Sequence, residues 1–201
     1  MRIDFHVHTR EHSPCGRAAA EDQARSAAAA GLDALLFTDH DFVAADDEVQ
    51  ALNRRFAPFR MYRGIEVTLL ENEHALVIGV LDPCLQSRGW HYSELWEFVR
   101  ARGGFMALAH PFRFQRPIVL DLAARPPHAL EVFSSNTAPA DETAIRELAG
   151  RLGCRLLSNS DAHAVDPLGK YYNELDCFPA DEMDLAQLLL HGSGPRPIRA
   201  G

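Results

Sequence analysis

The residues able to do chemistry in this chain are chiefly histidines, and they recur in short, distinctive settings. Near the start, Ile3-Asp4-Phe5-His6-Val7-His8-Thr9 alternates apolar and polar residues. In an extended strand alternate side chains share a face, so Asp4, His6 and His8 point one way and Ile3, Phe5 and Val7 the other. Two imidazoles whose Cα atoms lie about 7 Å apart can close on one metal ion. Zinc, manganese or iron suits such a pair better than calcium, which prefers oxygen. An isolated His-x-His is more often a pair of partly exposed side chains, so the weight falls on the rest of the set. That set is Thr38-Asp39-His40, Gly64-Ile65-Glu66, His74, Ala109-His110-Pro111 and Ser158-Asn159-Ser160-Asp161-Ala162-His163.

The elements that must position these residues alternate in kind. Short apolar runs read as strands over about 2–8, 32–37, 60–67, 75–80, 105–109, 129–133 and 154–158, with a last strand over 174–178. Helices are expected over 18–30, stopping at Gly31, and over 44–56, 92–102, 140–151 and 183–190, with a short one over 117–124. Buried strands alternating with helices predict βα units and a mainly parallel sheet. Roughly seven of them point to a closed or nearly closed α/β barrel, with an open doubly wound sheet as the alternative. His6, His8, His40, Glu66, His110, Asp161 and His163 then fall at the C-terminal ends of strands, the face where barrels build sites. His74 begins its strand, so it joins the same mouth only if that strand runs antiparallel to its predecessor. The short link over 67–74 permits such a hairpin. One domain over 1–191 and a flexible tail over 192–201 are expected.

Bulk composition narrows the classes. The chain has 201 residues, 47% hydrophobic and 24% charged, with a formal net charge of −8. No global basic field attracts nucleic acid. The four cysteines, Cys15, Cys84, Cys154 and Cys177, form no Cys-x-x-Cys and read as reduced thiols of a cytoplasmic protein. Met1-Arg2-Ile3-Asp4 does not read as a signal peptide. No segment reaches the ~18 apolar residues of a membrane span.

Five or six histidines with two or more carboxylates exceed what one ion uses, so two or three ions are expected. Glu66 is suited to bridge two of them, because a carboxylate has two oxygens. The imidazole-rich set favours zinc, manganese or iron over magnesium. Ions ~4 Å apart hold a bridging hydroxide and clamp both oxygens of an in-line displacement, which is machinery for phosphate ester hydrolysis.

Taken in order, these motifs resemble the PHP family, named for polymerase and histidinol phosphatase, over about residues 2–170. The resemblance implies a distorted (β/α)7 barrel, a trinuclear metal site and phosphoesterase activity. It implies that His6, His8, Glu66 and Asp161 hold one ion, that Glu66, His74 and His110 hold a second, and that His40 and His163 hold a third. Family members complete the third site from the loop after His-x-His. Here that loop reads Arg10-Glu11-His12-Ser13-Pro14-Cys15-Gly16. Alignment on Ser-Pro-x-Gly selects Cys15, and counting from His8 selects His12; both stand as candidates.

The expected activity is therefore a metal-dependent phosphoesterase. Glu66, Asp161, His163 and His40 would carry the chemistry, and a metal-bridging hydroxide would attack phosphorus. Hydrolysis of a C–N or C–O bond and a non-catalytic PHP module are the alternatives. The expected partner is a small phosphorylated substrate, a nucleotide or a nucleic-acid end, with neither a membrane nor an obligate protein partner. Arg113 is the preferred phosphate contact; Lys170, Arg10 and Arg116 are further candidates in loops near the mouth. Asp4 and Asp39 read as supports, and His91, His128 and His191 as surface or packing residues.

Overall fold

A computed structural model describes residues 1–200. Nine strands run in the order β1 (Arg2–Val7), β2 (Ala34–Phe37), β3 (Arg60–Thr68), β4 (His74–Ile78), β5 (Phe105–Leu108), β6 (Ala129–Phe133), β7 (Arg155–Ser158), β8 (Tyr171–Glu174) and β9 (Arg196–Arg199). Five α-helices, α1 (Ala20–Ala29), α2 (Asp46–Phe56), α3 (Tyr92–Ala101), α4 (Glu142–Leu152) and α5 (Glu182–His191), lie between them. The strands form one sheet ordered β7-β6-β5-β4-β3-β2-β1-β8-β9. Pairs β1–β2, β2–β3, β5–β6 and β6–β7 are parallel. β4 runs antiparallel to both β3 and β5, the hairpin that brings His74 to the mouth. The result is a mixed α/β, nearly closed and distorted barrel.

The seam of the barrel is closed by side chains. Ser158 N–H, at the end of β7, donates to Asn173 Oδ1 on β8 at 3.0 Å. Asn173 Nδ2 donates to Ser158 O at 2.6 Å and to Asn159 Oδ1 at 2.9 Å. Ser158 Oγ donates to Ile198 O on β9. Beyond the seam the chain rejoins β1, with His8 N–H donating to Ala162 O at 2.9 Å and Ala162 N–H to His6 O at 3.2 Å.

Ile3, Phe5, Leu36, Tyr62, Leu76 and Phe105 pack together with Leu185, Ala186 and Leu189 of α5. That helix lies against the end of the barrel opposite the mouth, where Gly79 (φ +84°) has no room for a Cβ, which would lie 2.5 Å from Ala186 Cβ. Val7 instead joins Leu35, Phe37 and Met61 against Ala24 and Ala27 of α1. The simple alternation expected of Ile3, Phe5 and Val7 is thus broken. Between Asp4 and Val7, three residues of β1 advance against two of β2, the signature of a β-bulge. A second slip lies in β6, between Glu131 and Phe133.

Three local expectations change. Residues 117–124 form no helix. Leu120 and Leu122 are buried alternately beneath the loop, and Pro117 with the bulky Ile118-Val119 does not favour a helical turn. The strand expected over 174–178 lies earlier, at Tyr171–Glu174. The tail read as flexible contains β9, whose four residues pair antiparallel with β8. There Pro197, which cannot donate to a ladder, sits on an edge strand where it is tolerated.

Candidate metal centre

Each strand delivers its side chain to the mouth at its end or in the turn just beyond it. β1 supplies His6 and the adjoining His8, β3 supplies Glu66, and β4 supplies His74 from its first residue. His40 follows β2 and pairs in an isolated bridge with Glu66. His110 follows β5, and Asp161 and His163 follow β7. His110 and Asp161 both adopt positive φ, +28° and +51°. Such backbone is unfavourable for residues with a Cβ and is found where surroundings over-determine a functional geometry.

Glu66, fully buried, is the hub. Its Oε1 lies 2.9 Å from His74 Nδ1 and 3.1 Å from His110 Nε2. Its Oε2 lies 3.2 Å from Nε2 of both His6 and His8, and 3.1 Å from His40 Nδ1. Asp161 Oδ1 closes the group, 3.3 Å from His6 Nε2 and 3.1 Å from His8 Nε2. A neighbouring set joins His8, Cys15, His40 and His163, each offering one donor atom within 4.8 Å of the others.

The outer partners of the two central imidazoles fix where their protons lie. Glu131, fully buried in β6, accepts from Asn159 Nδ2 (2.8 Å) and His110 N–H (2.9 Å), so it acts as an acceptor. It therefore accepts Nδ1–H of His6 at 3.1 Å as well. Ser13 Oγ donates to Asp39 Oδ1 at 2.7 Å, which leaves it to accept Nδ1–H of His8 at 3.2 Å. With each neutral ring protonated on Nδ1, both Nε2 atoms present lone pairs, 3.0 Å apart and facing two carboxylate oxygens. His40 Nδ1 and Glu66 Oε2 are buried and close, yet make no aligned hydrogen bond. Converging lone pairs repel unless a cation lies among them or a proton is taken up. The donor set therefore fits metal ions, and the imidazole–carboxylate composition fits zinc, manganese or iron.

The same crowding shifts the titrations. Burial opposes charge on His6, but Asp161, Glu66 and Glu131 overcome it and raise its pKa well above the ordinary value. His8, held against burial by Asp161 and Glu66, is raised to about 8. Glu66 and Asp161, although burial favours their neutral forms, are held well below the carboxylate range by the imidazoles around them. Burial depresses His40 to about 4 and lowers His163. Without a cation, protons would be shared within the cluster; metal binding must displace them.

The loop after β1 separates its two candidates. Cys15 lies with His8, His40 and His163. His12 points away, pairing with Glu48 at 3.1 Å and stacking on Phe42. Asp39 holds this loop by accepting from Thr9 N–H, Thr9 Oγ1 and Ser13 Oγ. Asp4 accepts from His6 N–H and Ser160 N–H and so anchors the segment before Asp161. Burial raises Asp4 to about 7, against those hydrogen bonds. Arg113 lies at the mouth with Nη1 3.3 Å from Asp161 Oδ2. Lys170 is exposed and lines neither groove beside the cluster. Arg116 pairs with Asp141.

Several contributors were not singled out from the sequence. Glu131 was visible as a lone carboxylate inside the apolar run Ala129–Phe133. Ser13 stood in the ambiguous loop. Asn136, which donates to Asp161 Oδ2, and Phe114, whose ring packs 5.0 Å from His74 and 5.4 Å from His110, carried no local signal.

A family model described as PHP-associated matches residues 142–193. A Bifidobacterium adolescentis protein, whose naming as a metal-dependent phosphoesterase is itself inferred, has a similar structure. Its TM-score is 0.70 at 16% identity, over 94% of this chain and 96% of that one. A two-domain Bacteroides vulgatus protein, described as containing a predicted PHP-like metal-dependent phosphoesterase, aligns with TM-score 0.69 and 16% identity. That match covers 99% of this chain and 64% of the other. The ordered motifs thus sit on a barrel similar in fold to these proteins, and the PHP-associated match falls within it, including Asp161 and His163. The chain shares its fold with proteins described as metal-dependent or PHP-like phosphoesterases. A further similar structure is an amidohydrolase from Chromobacterium violaceum, described with bound sulfate and no metal. It has TM-score 0.68 and 18% identity, over 98% of this chain and 97% of that one. No curated protein sequence matches this chain.

Proposed function

We propose that this chain is a metal-dependent phosphoesterase that hydrolyses a phosphate ester at a di- or trinuclear centre. The observation that carries the reading is the convergence of five imidazole nitrogens on the two oxygens of Glu66. His6, His8, Glu66 and Asp161 would hold one ion, Glu66, His74 and His110 a second, and His40, His163 and Cys15 a third. Ions so held supply an activated water and positive charge beside a phosphoryl group. A thiolate at Cys15 favours zinc or iron over manganese at the third position.

The side chains around the centre have complementary tasks. Glu131 and Ser13 keep the Nε2 lone pairs of His6 and His8 turned inward. Arg113, one-third exposed beside Asp161, offers a guanidinium fork to phosphoryl oxygens. In the balanced reaction, water's oxygen bonds to phosphorus, the ester P–O bond breaks, and the departing alkoxide takes a proton. His163, partly exposed beside Asp161, would position the group that gives that proton. Among the described residues no helix is long and apolar enough to cross a membrane, and the net charge of −8 suits a small substrate better than a long nucleic acid.

The neighbour named an amidohydrolase supports a second reading, in which the same centre cleaves a C–N bond. One assay separates them. Protein loaded with zinc, manganese or iron is offered p-nitrophenyl phosphate and p-nitroanilide amides, alongside Glu66→Ala and Asp161→Ala. Turnover of the phosphate alone, falling at least about a thousandfold in both variants, is expected. Amide turnover without phosphate turnover, or full activity in either variant, would overturn the proposal.

A further inference from the structure

The mouth of the metal centre is divided. Pro14 and Cys15 form a wall between two grooves, and both residues line each of them. One groove, of about 600 Å³, runs past Arg17, Arg113, Ser135, Asn136, Asp161 and His163. It is polar and carries two guanidinium groups and two carboxylates; Arg113 pairs with Asp161, Asp166 is exposed, and Arg17 is exposed and makes no ion pair among the described residues. The other, of about 410 Å³, runs past His40 and His74 to Leu69 and Leu70.

The second groove differs in kind. Its surface is mainly apolar, and its two charged residues neutralise each other, since Arg88 Nε lies 3.5 Å from Asp41 Oδ2. No free cation is left there to hold a second anion. One large hydrophobic side chain stands exposed in its lining and another beside His74. Leu70 is 57% exposed, and Phe114, packed on the His74 ring, is 40% exposed. Leu70 is held there rather than frayed outward: Leu69 N–H donates to Glu73 O at 2.9 Å and Leu70 N–H to Trp90 O at 3.0 Å. A rigid apolar rim opening directly onto metal-ligating imidazoles is suited to an apolar part of the substrate.

We infer that the substrate is a phosphate ester whose alcohol half is apolar and uncharged, seated against Leu69, Leu70 and Pro14, while its phosphoryl group faces Arg113. This rests on the phosphoesterase reading and adds the class of leaving group. The polar groove takes the anion because it alone holds a guanidinium without an ion pair, Arg17, alongside Arg113. The ester bond then spans the wall at Cys15, above the ligand cluster, with the organic group directed toward His74 and Leu70. A sugar or polyol phosphate would instead place several hydroxyls against carbon and lose their hydration without replacement.

The test compares esters of aliphatic alcohols with broadly similar leaving-group acidity, so that intrinsic reactivity does not decide the outcome. The metal-loaded protein is assayed for kcat/KM on methyl, benzyl and glycerol phosphates, and titrated calorimetrically with methyl-, benzyl- and 2,3-dihydroxypropylphosphonate, which cannot be hydrolysed. Burial of one phenyl ring predicts a preference of at least about tenfold for benzyl over glycerol phosphate. The same order is expected among the phosphonates. In Leu70→Asp the benzyl-to-methyl ratio of kcat/KM should fall about tenfold, because a carboxylate replaces the apolar rim. Equal use of the esters, or preference for glycerol phosphate, overturns the inference and leaves the phosphoesterase reading standing. If no phosphate ester is hydrolysed, that reading fails; the phosphonates then decide the groove separately, with benzyl preference upholding an apolar subsite and no preference removing it.

Discussion

Glu131 shows how much a residue that touches no ion can govern. It is fully buried and holds His6 by Nδ1, His110 by its backbone and Asn159 by its amide. Glu131→Gln should weaken metal affinity by about 10- to 100-fold, measured by competition with a chelator, while the circular dichroism spectrum is retained. Unchanged affinity would reduce Glu131 to a packing role. His128 illustrates the opposite case, a histidine remote from the chemistry. Its Nδ1 accepts Met106 N–H at 2.9 Å, its ring stacks on Phe105, and Arg100 and Arg155 lie near it. Burial first, then those charges, depress its pKa from 6.5 to about 4. The unfolded chain binds this proton more readily, so stability should fall as pH drops from 6.5 toward 4. His128→Asn keeps an acceptor but cannot titrate, and should flatten the dependence of Tm on pH across that window. An unchanged slope would contradict this account. Residue types and spacing made the clustered histidines, Glu66 and Asp161 legible in the sequence. Glu131 was harder to see because its partners arrive from 21 to 125 residues away.

The elements carry the ligands with different fidelity. The antiparallel run of β4 could be reasoned out, because His74 begins its strand and only a hairpin returns it to the mouth. The bulge in β1 could not, since His-x-His reads as plain alternation whether or not an extra residue is present. Beside it, Asp4 Oδ1 accepts from the backbone N–H groups of His6 and Ser160, near Asp161. The loop after β1 was left ambiguous between Cys15 and His12 because a count of residues says nothing about where a turn folds back. The fold-back is set by Gly16. A Cβ there would lie 2.2 Å from Thr9 O and 2.8 Å from Arg10 N. Gly16→Ala should therefore displace Cys15 without unfolding the barrel. In cobalt-loaded protein the thiolate-to-metal charge-transfer absorption should vanish in Cys15→Ser and weaken in Gly16→Ala. A full-strength band in Cys15→Ser would remove Cys15 from the centre.

For the molecule as a whole, the ligand cluster is a concentration of buried acceptors that folding forces together. Ions that bind the folded chain and not the unfolded one stabilise it by mass action, about 2.7 kcal/mol at a free concentration a hundredfold above Kd. Stripping them with a chelator should lower Tm by several degrees at pH 7.5, and restoring zinc should recover it. Calorimetry showing the same Tm with and without metal would indicate that the cluster is relieved by protons alone. The barrel and its near closure were legible from strands alternating with helices, but the means of closure was not, because it depends on single side chains meeting across the seam. That closure has a practical corollary for anyone engineering the chain. The last strand lies far along the sequence from every ligand and invites trimming or tagging, yet Ile198 latches Ser158, and Asn173 latches Ser158 and Asn159, two residues before Asp161. Clipping residues 195–200 would spring that latch, and the defect would surface at the opposite end of the purification: a protein that elutes normally but leaves its metal on the column.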